Sequence, residues 1–112
     1  MNIINYNDFQ KIELIVGKII KVEDFEKAKK PTYKIYVYFG EKFGEKKTSA
    51  QIVQNYKKDE LINKLVIGCL NLGEKNIAGF ISEFLLTGFK DKNENVVLST
   101  VDKDVKLGEK LF

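Results

Sequence analysis

Residues 33 to 39 alternate strictly between two kinds of side chain, and this alternation constrains the fold more than any other feature of the chain. One set of positions is apolar or aromatic and the other carries a lysine and two tyrosines: Tyr33, Ile35, Val37 and Phe39 against Lys34, Tyr36 and Tyr38. Because successive side chains of a β-strand point to opposite faces, a period of two predicts a half-buried strand. We expect the first set to face a core and the second set to face outward.

The rest of the chain is also typical of short strands separated by turn residues. Residues 14–22 are dense in β-branched side chains, and Gly17 interrupts them where a curved barrel strand needs a bulge or bend. Residues 65–70 are almost wholly apolar, which predicts a strand in the middle of a sheet. The remaining strands are predicted at 46–53, 77–81, 84–89 and 96–98.

Two short helical segments complete the predicted order of elements. Asn7 with Gln10 three residues later indicates a capped helical turn at 7–10, and residues 57–62 indicate a short helix that carries Leu61 and Ile62 toward the core. Three strands, one helix and then more strands is the order of the oligonucleotide/oligosaccharide-binding (OB) fold. We therefore predict an all-β protein, a β-barrel with short helices, in which the OB-fold has an N-terminal helical turn and a C-terminal extension.

Size and composition exclude several classes of protein. The 112 residues match one domain, spanning 1–112, and no stretch approaches the roughly 20 apolar residues of a membrane span. The first residues lack the basic and apolar regions of a signal peptide, so we expect a cytoplasmic protein without membrane insertion. Without histidine and with Cys69 alone, zinc clusters and histidine-dependent triads are impossible. We expect no cofactor, no enzymatic activity and a buried Cys69.

Positive charge is concentrated in one part of the chain. Between positions 27 and 47 there are seven lysines and two glutamates, a local net charge of +5, whereas the remainder carries −2 of the total of +3. Such a concentration suggests a basic patch for phosphates or acidic partners, and the alternative is a lysine-rich solubilising surface. Because no arginine is present, bidentate reading of bases or phosphates is not available. Any binding of nucleic acid should therefore depend on charge and shape.

Tyr36 and Tyr38 share the predicted outward face with Lys34. A lysine with two tyrosines on an exposed face is the composition of a platform on which bases stack. Cross-strand aromatic packing or a dimer contact explains the same pattern equally well, so both interpretations stay open.

Several segments of the chain together identify a resemblance. The strongest are residues 8–17, 28–34, 46–52, 82–85 and 108–112, which read DFQKIELIVG, AKKPTYK, KKTSAQI, SEFL and GEKLF. With these segments the chain resembles the tRNA-binding domain found at the C-terminus of some methionyl-tRNA synthetases and in free-standing dimeric proteins. Within that family it is most similar to the CsaA-type export chaperones, because Ala50-Gln51-Ile52 and Ser82-Glu83-Phe84-Leu85 depart from the Ser-Gly-Ile and Ser-Glu-Gly-Met of the synthetase type.

The resemblance implies an RNA site on the concave face of the barrel and its nearby loops. The residues at the matching positions are Lys29, Lys30, Lys34, Lys46, Lys47, Ser49, Gln51, Asn71, Ser82 and Glu83. Lysines neutralise phosphates and polar side chains bond to sugars or bases, so all except Glu83 are predicted RNA-binding residues, together with Tyr36 and Tyr38. Acidic Glu83 is instead predicted to be a structural hydrogen-bond acceptor that braces neighbouring loops.

A homodimer is also implied by the resemblance, through extensions at about 1–12 and 100–112. The residues predicted at this interface are Phe9, Val105, Leu107, Leu111 and Phe112, and those of the tail are too apolar for a free terminus. The alternative is that the tail completes a strand within the monomer. Two functions follow from the resemblance: a non-enzymatic module that binds tRNA-like RNA, or a dimeric chaperone that binds unfolded polypeptides during protein export.

Overall fold

The computed structural model describes all 112 residues and contains two short helices and nine strands. In chain order these are α1 (Tyr6–Gln10), β1 (Leu14–Asp24), β2 (Tyr33–Tyr38), β3 (Glu45–Ala50), α2 (Lys58–Leu61), β4 (Leu65–Cys69), β5 (Lys75–Ile77), β6 (Phe80–Ser82), β7 (Leu85–Leu86), β8 (Gly88–Lys90) and β9 (Val96–Leu98). Both helices fall far short of what a membrane crossing requires. The predicted all-β class and the order of the OB-fold are confirmed.

Five strands form one antiparallel sheet in the order β3-β2-β1-β4-β7, and β1 is its long central member. The first half of β1 pairs with β4 and its second half pairs with β2, so the sheet wraps around β1 into a nearly closed barrel. The register of β1 against β2 shifts between Ile19 and Lys21. The bulge therefore lies at Ile20, so of the bulge or bend predicted at Gly17 the bulge is wrong.

Gly17 has a different purpose, which is to make room for the aromatic centre of the barrel. A Cβ atom on Gly17 would lie 2.5 Å from Cγ1 of Val37 and 2.6 Å from Cδ1 of Phe39. Gly68 on β4 is equally restricted, because its Cβ would lie 2.8 Å from both Phe39 and Phe84. These two rings pack edge to face with centroids 4.9 Å apart. The interior thus has room for two phenylalanines only because the strands beside them lack side chains.

The alternation of residues 33 to 39 is reproduced in the structure. The side chains of Tyr33, Ile35, Val37 and Phe39 are buried in the core, whereas the intervening lysine and tyrosines are only half-buried. Cys69 is buried, as its apolar neighbours predicted. The division of β2 into a core face and an outward face is therefore confirmed.

The barrel closes where β3 meets residues 82–84, a contact that we call the seam. The backbone N–H of Glu83 donates to the carbonyl of Lys47 (2.8 Å), and the Glu83 carboxylate accepts the Lys47 N–H (2.9 Å). Two more hydrogen bonds join the same segments. Ser82 Oγ accepts the N–H of Ser49 (3.1 Å), and the Thr48 hydroxyl donates to the carbonyl of Phe84 (2.7 Å). Side-chain oxygens therefore satisfy two amides on the edge of β3 that a neighbouring strand would otherwise pair.

The two helical segments form as predicted, with two local corrections. The side chain of Asn5, and not that of Asn7, caps α1 by accepting the N–H of Asp8 at 2.8 Å. In α2, Leu61 is fully buried, but Ile62 is 40% exposed because the chain leaves the helix at that residue. The prediction that Ile62 packs into the core is wrong.

Two stretches predicted as single strands are each divided by a turn. Residues 77–81 belong to the hairpin of β5 and β6, in which Ala78 and Gly79 both have positive φ, as a two-residue hairpin turn requires. Residues 84–89 are split between β7, which pairs with β4, and β8, which pairs with β9. The corrections matter for function, because the β5–β6 hairpin brings Phe80 next to β3.

The C-terminal tail lies along the beginning of β1. Val16 donates to the carbonyl of Glu109 at 3.0 Å, Gly108 donates to that of Val16 at 2.9 Å, and Leu111 donates to that of Leu14 at 2.8 Å. Residues 108–111 thus complete the sheet within the monomer, as the alternative interpretation of the tail proposed.

Candidate functional site

The outward face of β1, β2 and β3 carries three rows of paired side chains. Directly opposite residues of antiparallel strands share a face, so the register defines each row. The rows are Glu23–Lys34–Ser49, Lys21–Tyr36–Lys47 and Lys18–Tyr38–Glu45. We call this surface the lysine face, because four of its nine side chains are lysines.

Two of these lysines lie over the same aromatic ring. The Nζ of Lys34 is 5.2 Å and that of Lys47 is 5.1 Å from the centroid of Phe80, and Lys34 is also 5.1 Å from the centroid of Phe25. Phe25 and Phe80 are themselves in contact, with centroids 5.4 Å apart. A ring attracts an ammonium group through its quadrupole without neutralising it. Both ammonium groups therefore lie around one ring while they keep their charge.

No carboxylate is paired with either of these lysines. The four ion pairs of the chain join Lys11 to Asp8, Lys21 to Glu23, Lys58 to Asp24 and Lys110 to Glu13. Glu23 lies opposite Lys34, but its carboxylate accepts the Tyr36 hydroxyl at 3.0 Å and lies 3.7 Å from the ammonium of Lys21. Lys18, Lys34 and Lys47 are thus the lysines of this face without an ion pair, and two of them, Lys34 and Lys47, lie around Phe80.

Tyr36 occupies the middle of the lysine face and is already engaged on two sides. Its hydroxyl donates to Glu23, and the ammonium of Lys21 lies 5.1 Å from its ring centroid. Partial burial, the hydrogen bond to Glu23 and the negative charges of Glu23 and Glu45 together raise the pKa of Tyr36 above its usual value. The tyrosine is therefore a neutral donor at physiological pH, and a base that stacks on it must share the ring with Lys21.

Two serine hydroxyls lie beside the lysine pair. Ser82 Oγ accepts the Ser49 N–H, and the two hydroxyl oxygens are 3.1 Å apart. Ser82 is buried in the seam, whereas Ser49 is half-buried on the lysine face. The Glu83 carboxylate accepts a backbone N–H, which confirms its predicted structural role. Among these seam residues, Ser49 is therefore the one with a hydroxyl on the lysine face.

Lys29 and Lys30 lie in the loop from 25 to 32, next to the Lys34 end of the lysine face. The loop is closed by a hydrogen bond from the Phe25 N–H to the Thr32 carbonyl at 3.1 Å, and it is anchored by the contact of buried Phe25 with Phe80. Both lysines are exposed. Gln51, just after β3, is also exposed at this end. The structure therefore brings together eight of the predicted residues: Lys29, Lys30, Lys34, Tyr36, Lys47, Ser49, Gln51 and Ser82.

Three other predicted residues are placed elsewhere. Lys46 pairs with Val37, so it lies on the inward side of β3 and not on the lysine face. Asn71 lies at the opposite end of β1, where its side chain accepts the Glu13 N–H at 2.9 Å and donates to the Lys11 carbonyl at 2.6 Å. Tyr38 lies at the far end of the lysine face, where it lines an open cleft with residues of the C-terminal tail.

Sequence analysis did not identify Phe25, Phe80 or Lys21 as parts of this surface. Phe25 and Phe80 are separated by more than fifty positions and contact each other only after the β5–β6 hairpin packs beside β3. Lys21 reaches the outward face because of the bulge in β1. For Phe25 the sequence does carry one signal, because an apolar residue inside a polar loop indicates that its side chain is buried. That signal does not say which residue it packs against.

The side chains predicted at a dimer interface are unevenly exposed. Phe9 and Leu107 are half-buried, whereas Val105 and Leu111 are exposed and Phe112 is 100% exposed. Residues 1–6 add exposed side chains that were not predicted at the interface, namely Met1, Ile3, Ile4 and Tyr6. The Lys110 ammonium donates to the Gln10 carbonyl at 2.7 Å, so the end of α1 and the C-terminal tail lie next to each other.

Comparison with known proteins assigns these features to a family. A family model described as "Putative tRNA binding domain" matches residues 14–110. The methionine–tRNA ligase of Pyrococcus horikoshii is 40% identical over 99% of this chain, which spans only 15% of the ligase. The crystal structure of a CsaA chaperone protein from Picrophilus torridus is 48% identical, with a TM-score of 0.90 over 98% of this chain and 100% of that chain. The CsaA chaperone of Bacillus anthracis is 31% identical, with a TM-score of 0.92 over 99% of this chain and 100% of that chain.

Proposed function

Because the chain belongs to the family of tRNA-binding domains, we propose that it binds tRNA or similarly structured RNA in the cytoplasm through the lysine face, without catalysing a reaction. The observation that carries the proposal is the gathering of lysines at one end of that face. Lys34 and Lys47 come from neighbouring strands, and Lys29 and Lys30 come from the adjoining loop. None of the four is paired with a carboxylate.

The chemistry of these side chains determines what kind of recognition is expected. Lysine neutralises phosphates as a point charge and does not provide the planar pair of donors with which arginine reads guanine. Binding should therefore follow the shape and phosphate spacing of a folded RNA more than its sequence. The serine hydroxyl and Gln51 supply hydrogen bonds to sugars or exposed base edges at the same end of the face.

The test is the binding of total tRNA to the full chain over a series of salt concentrations. Contact with about five to seven phosphates gives a slope of log K against log salt of roughly −4 to −6. Lys29→Glu with Lys30→Glu should weaken binding by about tenfold or more, since two phosphate contacts become repulsive. Lys92→Glu with Lys103→Glu makes the same change in net charge at exposed positions away from the lysine face, and it should have little effect.

Two results would contradict the proposal. Binding that does not respond to salt would exclude a phosphate-dominated interaction. Equal weakening by both pairs of variants would mean that only the net charge matters, and that the lysine face has no particular role.

A second candidate is a chaperone that holds unfolded segments, and the similarity to CsaA chaperone proteins over the whole chain favours it. Exposed apolar side chains on the β8–β9 hairpin support it, because Phe89 is 71% exposed and pairs across the hairpin with exposed Val97.

Unlike RNA binding, suppression of the aggregation of a thermally unfolded reporter enzyme should persist at high salt. Phe89→Ser with Val97→Ser should reduce it, whereas Lys30→Glu with Lys47→Glu should not. Stoichiometric competition by tRNA would mean that one face serves both ligands.

We also propose that the protein is a homodimer formed by its terminal segments, 1–12 and 100–112, with Phe9, Val105, Leu107, Leu111 and Phe112 at the interface. The exposed apolar surface of the adjoining termini supports this.

A further inference from the structure

Phe80 is the one aromatic ring of the chain that two lysines contact at the same time. Lys34 and Lys47 are diagonal neighbours on β2 and β3, since Lys34 pairs with Ser49 and Lys47 pairs with Tyr36. Two like charges that lie within 5.2 Å of one ring centroid repel each other, and neither lysine forms an ion pair with a carboxylate. An anion bound between the two ammonium groups would relieve this repulsion.

We propose that Lys34, Lys47 and the hydroxyl of Ser49 form a subsite for a single phosphate group of the RNA, and that Phe80 is the residue that positions it. The inference rests on the proposed function for its physiological ligand, which is a phosphodiester of folded RNA. A phosphate oxygen accepts hydrogen bonds from both ammonium groups on the side away from the ring. The Ser49 hydroxyl, half-buried next to the same lysines, is the third donor.

Phe80 acts on the ligand through the lysines. A free lysine loses much rotamer freedom when it binds a phosphate, and a ring that already holds the ammonium group reduces this loss. Phe80 is only 9% exposed and is supported from below by Phe25, so its position is set by the core and not by the ligand. The seam adds a second constraint, because the backbone of Lys47 is held on both its N–H and its carbonyl by Glu83.

The carboxylates near the subsite do not occupy it. Glu26 and Asp24 line the neighbouring cleft together with Lys34 and Phe80, but Asp24 is bonded to Lys58 at 2.8 Å and neither carboxylate forms an ion pair with Lys34. Lys27 lines the same cleft and adds a second positive charge there.

A double-mutant cycle with total tRNA tests whether one phosphate is shared. If Lys34 and Lys47 contact the same phosphate, Lys34→Gln and Lys47→Gln together should reduce the salt slope by about 0.7 to 0.9, as for one contact, and their effects on affinity should not add. If the two effects add and the slope falls by about twice that amount, the lysines contact separate phosphates and the shared subsite is overturned.

Phe80→Leu tests the positioning role. The substitution keeps an apolar side chain against Phe25 but removes the quadrupole, and tRNA affinity should fall by roughly three- to tenfold, the cost of ordering a lysine side chain that the ring no longer holds. Phe80→Tyr keeps the ring and should retain the affinity, which excludes a mere packing effect. Phe43→Leu is the matched control, because it removes a ring that lies 5.2 Å from the ammonium of Lys42, a lysine outside the lysine face. Unchanged or tighter binding by Phe80→Leu would overturn the role of Phe80.

Titration with pyrophosphate, followed by NMR of the lysine side chains in the full chain, separates this inference from the proposed function. Shifts concentrated at Lys34 and Lys47, and lost in Lys34→Gln, support the subsite even if wild-type protein fails to bind tRNA. Small shifts spread over all lysines would overturn the subsite even if tRNA binds through the rest of the lysine face.

Discussion

Every positive side chain of this protein is a lysine, and five of these lysines lie within 5.7 Å of an aromatic ring centroid. The five are Lys21, Lys34, Lys42, Lys47 and Lys64. An aromatic ring directs an ammonium group without removing its charge, whereas a carboxylate does both. These five lysines therefore keep their charge, while the neighbouring ring restricts the position of the ammonium group.

Tyr36→Phe is predicted to change how stability depends on alkaline pH. Burial and the nearby Glu23 raise the pKa of Tyr36 in the folded protein, so its contribution is fully present below the usual value of 10.0 and is lost as pH rises through the folded pKa. The variant should lose about 1 kcal/mol at neutral pH with the hydrogen bond to Glu23. Above pH 10, the difference between the two proteins should shrink.

Urea denaturation of both proteins between pH 8 and pH 11 measures this difference directly. All other ionisable groups are the same in the two proteins, so only the difference between the two curves is informative. A difference that stays constant or grows with pH would contradict the assignment.

At the scale of elements, the seam and the lysine face are one piece of structure. β3 presents its outward side chains to the lysine face and its outer edge to Ser82 and Glu83. The β5–β6 hairpin likewise supplies Phe80 to the lysines and Ser82 to the seam. Closing the barrel and placing the lysine pair are therefore consequences of the same packing.

Glu83→Ala is predicted to weaken the seam, because it leaves the Lys47 N–H without its acceptor. The expected loss is about 1 to 3 kcal/mol in the free energy of unfolding, together with faster hydrogen exchange of the Lys47 amide. Glu83→Gln keeps an acceptor oxygen and should restore most of the stability. Glu74→Ala, at an exposed position whose side chain has no hydrogen bond, is the control. An unaltered Lys47 amide in Glu83→Ala would show that the carboxylate is dispensable for closure.

At the scale of the whole molecule, the exposed apolar side chains at the termini favour association of two copies. The tail is ordered along β1 through its backbone, yet Leu111 and Phe112 are exposed, as are Ile3 and Ile4 near the N-terminus. A surface of this kind is covered in most stable proteins. In a dimer, two lysine faces would also be available to one RNA, which increases the apparent affinity.

Leu111→Ser with Phe112→Ser is predicted to convert a dimer into a monomer. Sedimentation velocity at micromolar concentration measures the change, and circular dichroism checks that the barrel remains folded. Phe89→Ser with Val97→Ser removes a similar apolar area from the β8–β9 hairpin and should leave the dimer intact. A wild-type protein that sediments as a monomer, or a control that dissociates as readily, would contradict the role of the termini.

Local pattern was sufficient to predict much of the fold, because the period of two in residues 33–39 depends only on neighbours in the chain. The core and outward faces of β2 followed from this alternation. The helical turns followed from local capping residues, and the concentration of positive charge followed from composition. The same reasoning misplaced Ile62 and the bulge and missed the division of residues 77–81, since these depend on what packs against the chain. The site was predicted in part: Lys34, Lys47 and Ser49 are grouped, whereas Lys46 lies on the other side of β3.

The sequence by itself determined which residues could carry the charge and which strand would present them, because charge and alternation are local properties. Only the tertiary structure decided that Lys34 and Lys47 meet over Phe80, that Asn71 is used internally, and that Ser82 and Glu83 close the barrel. Each of these contacts joins positions more than thirty residues apart. Such pairs are selected by the register and closure of the whole sheet, which no short stretch of sequence specifies.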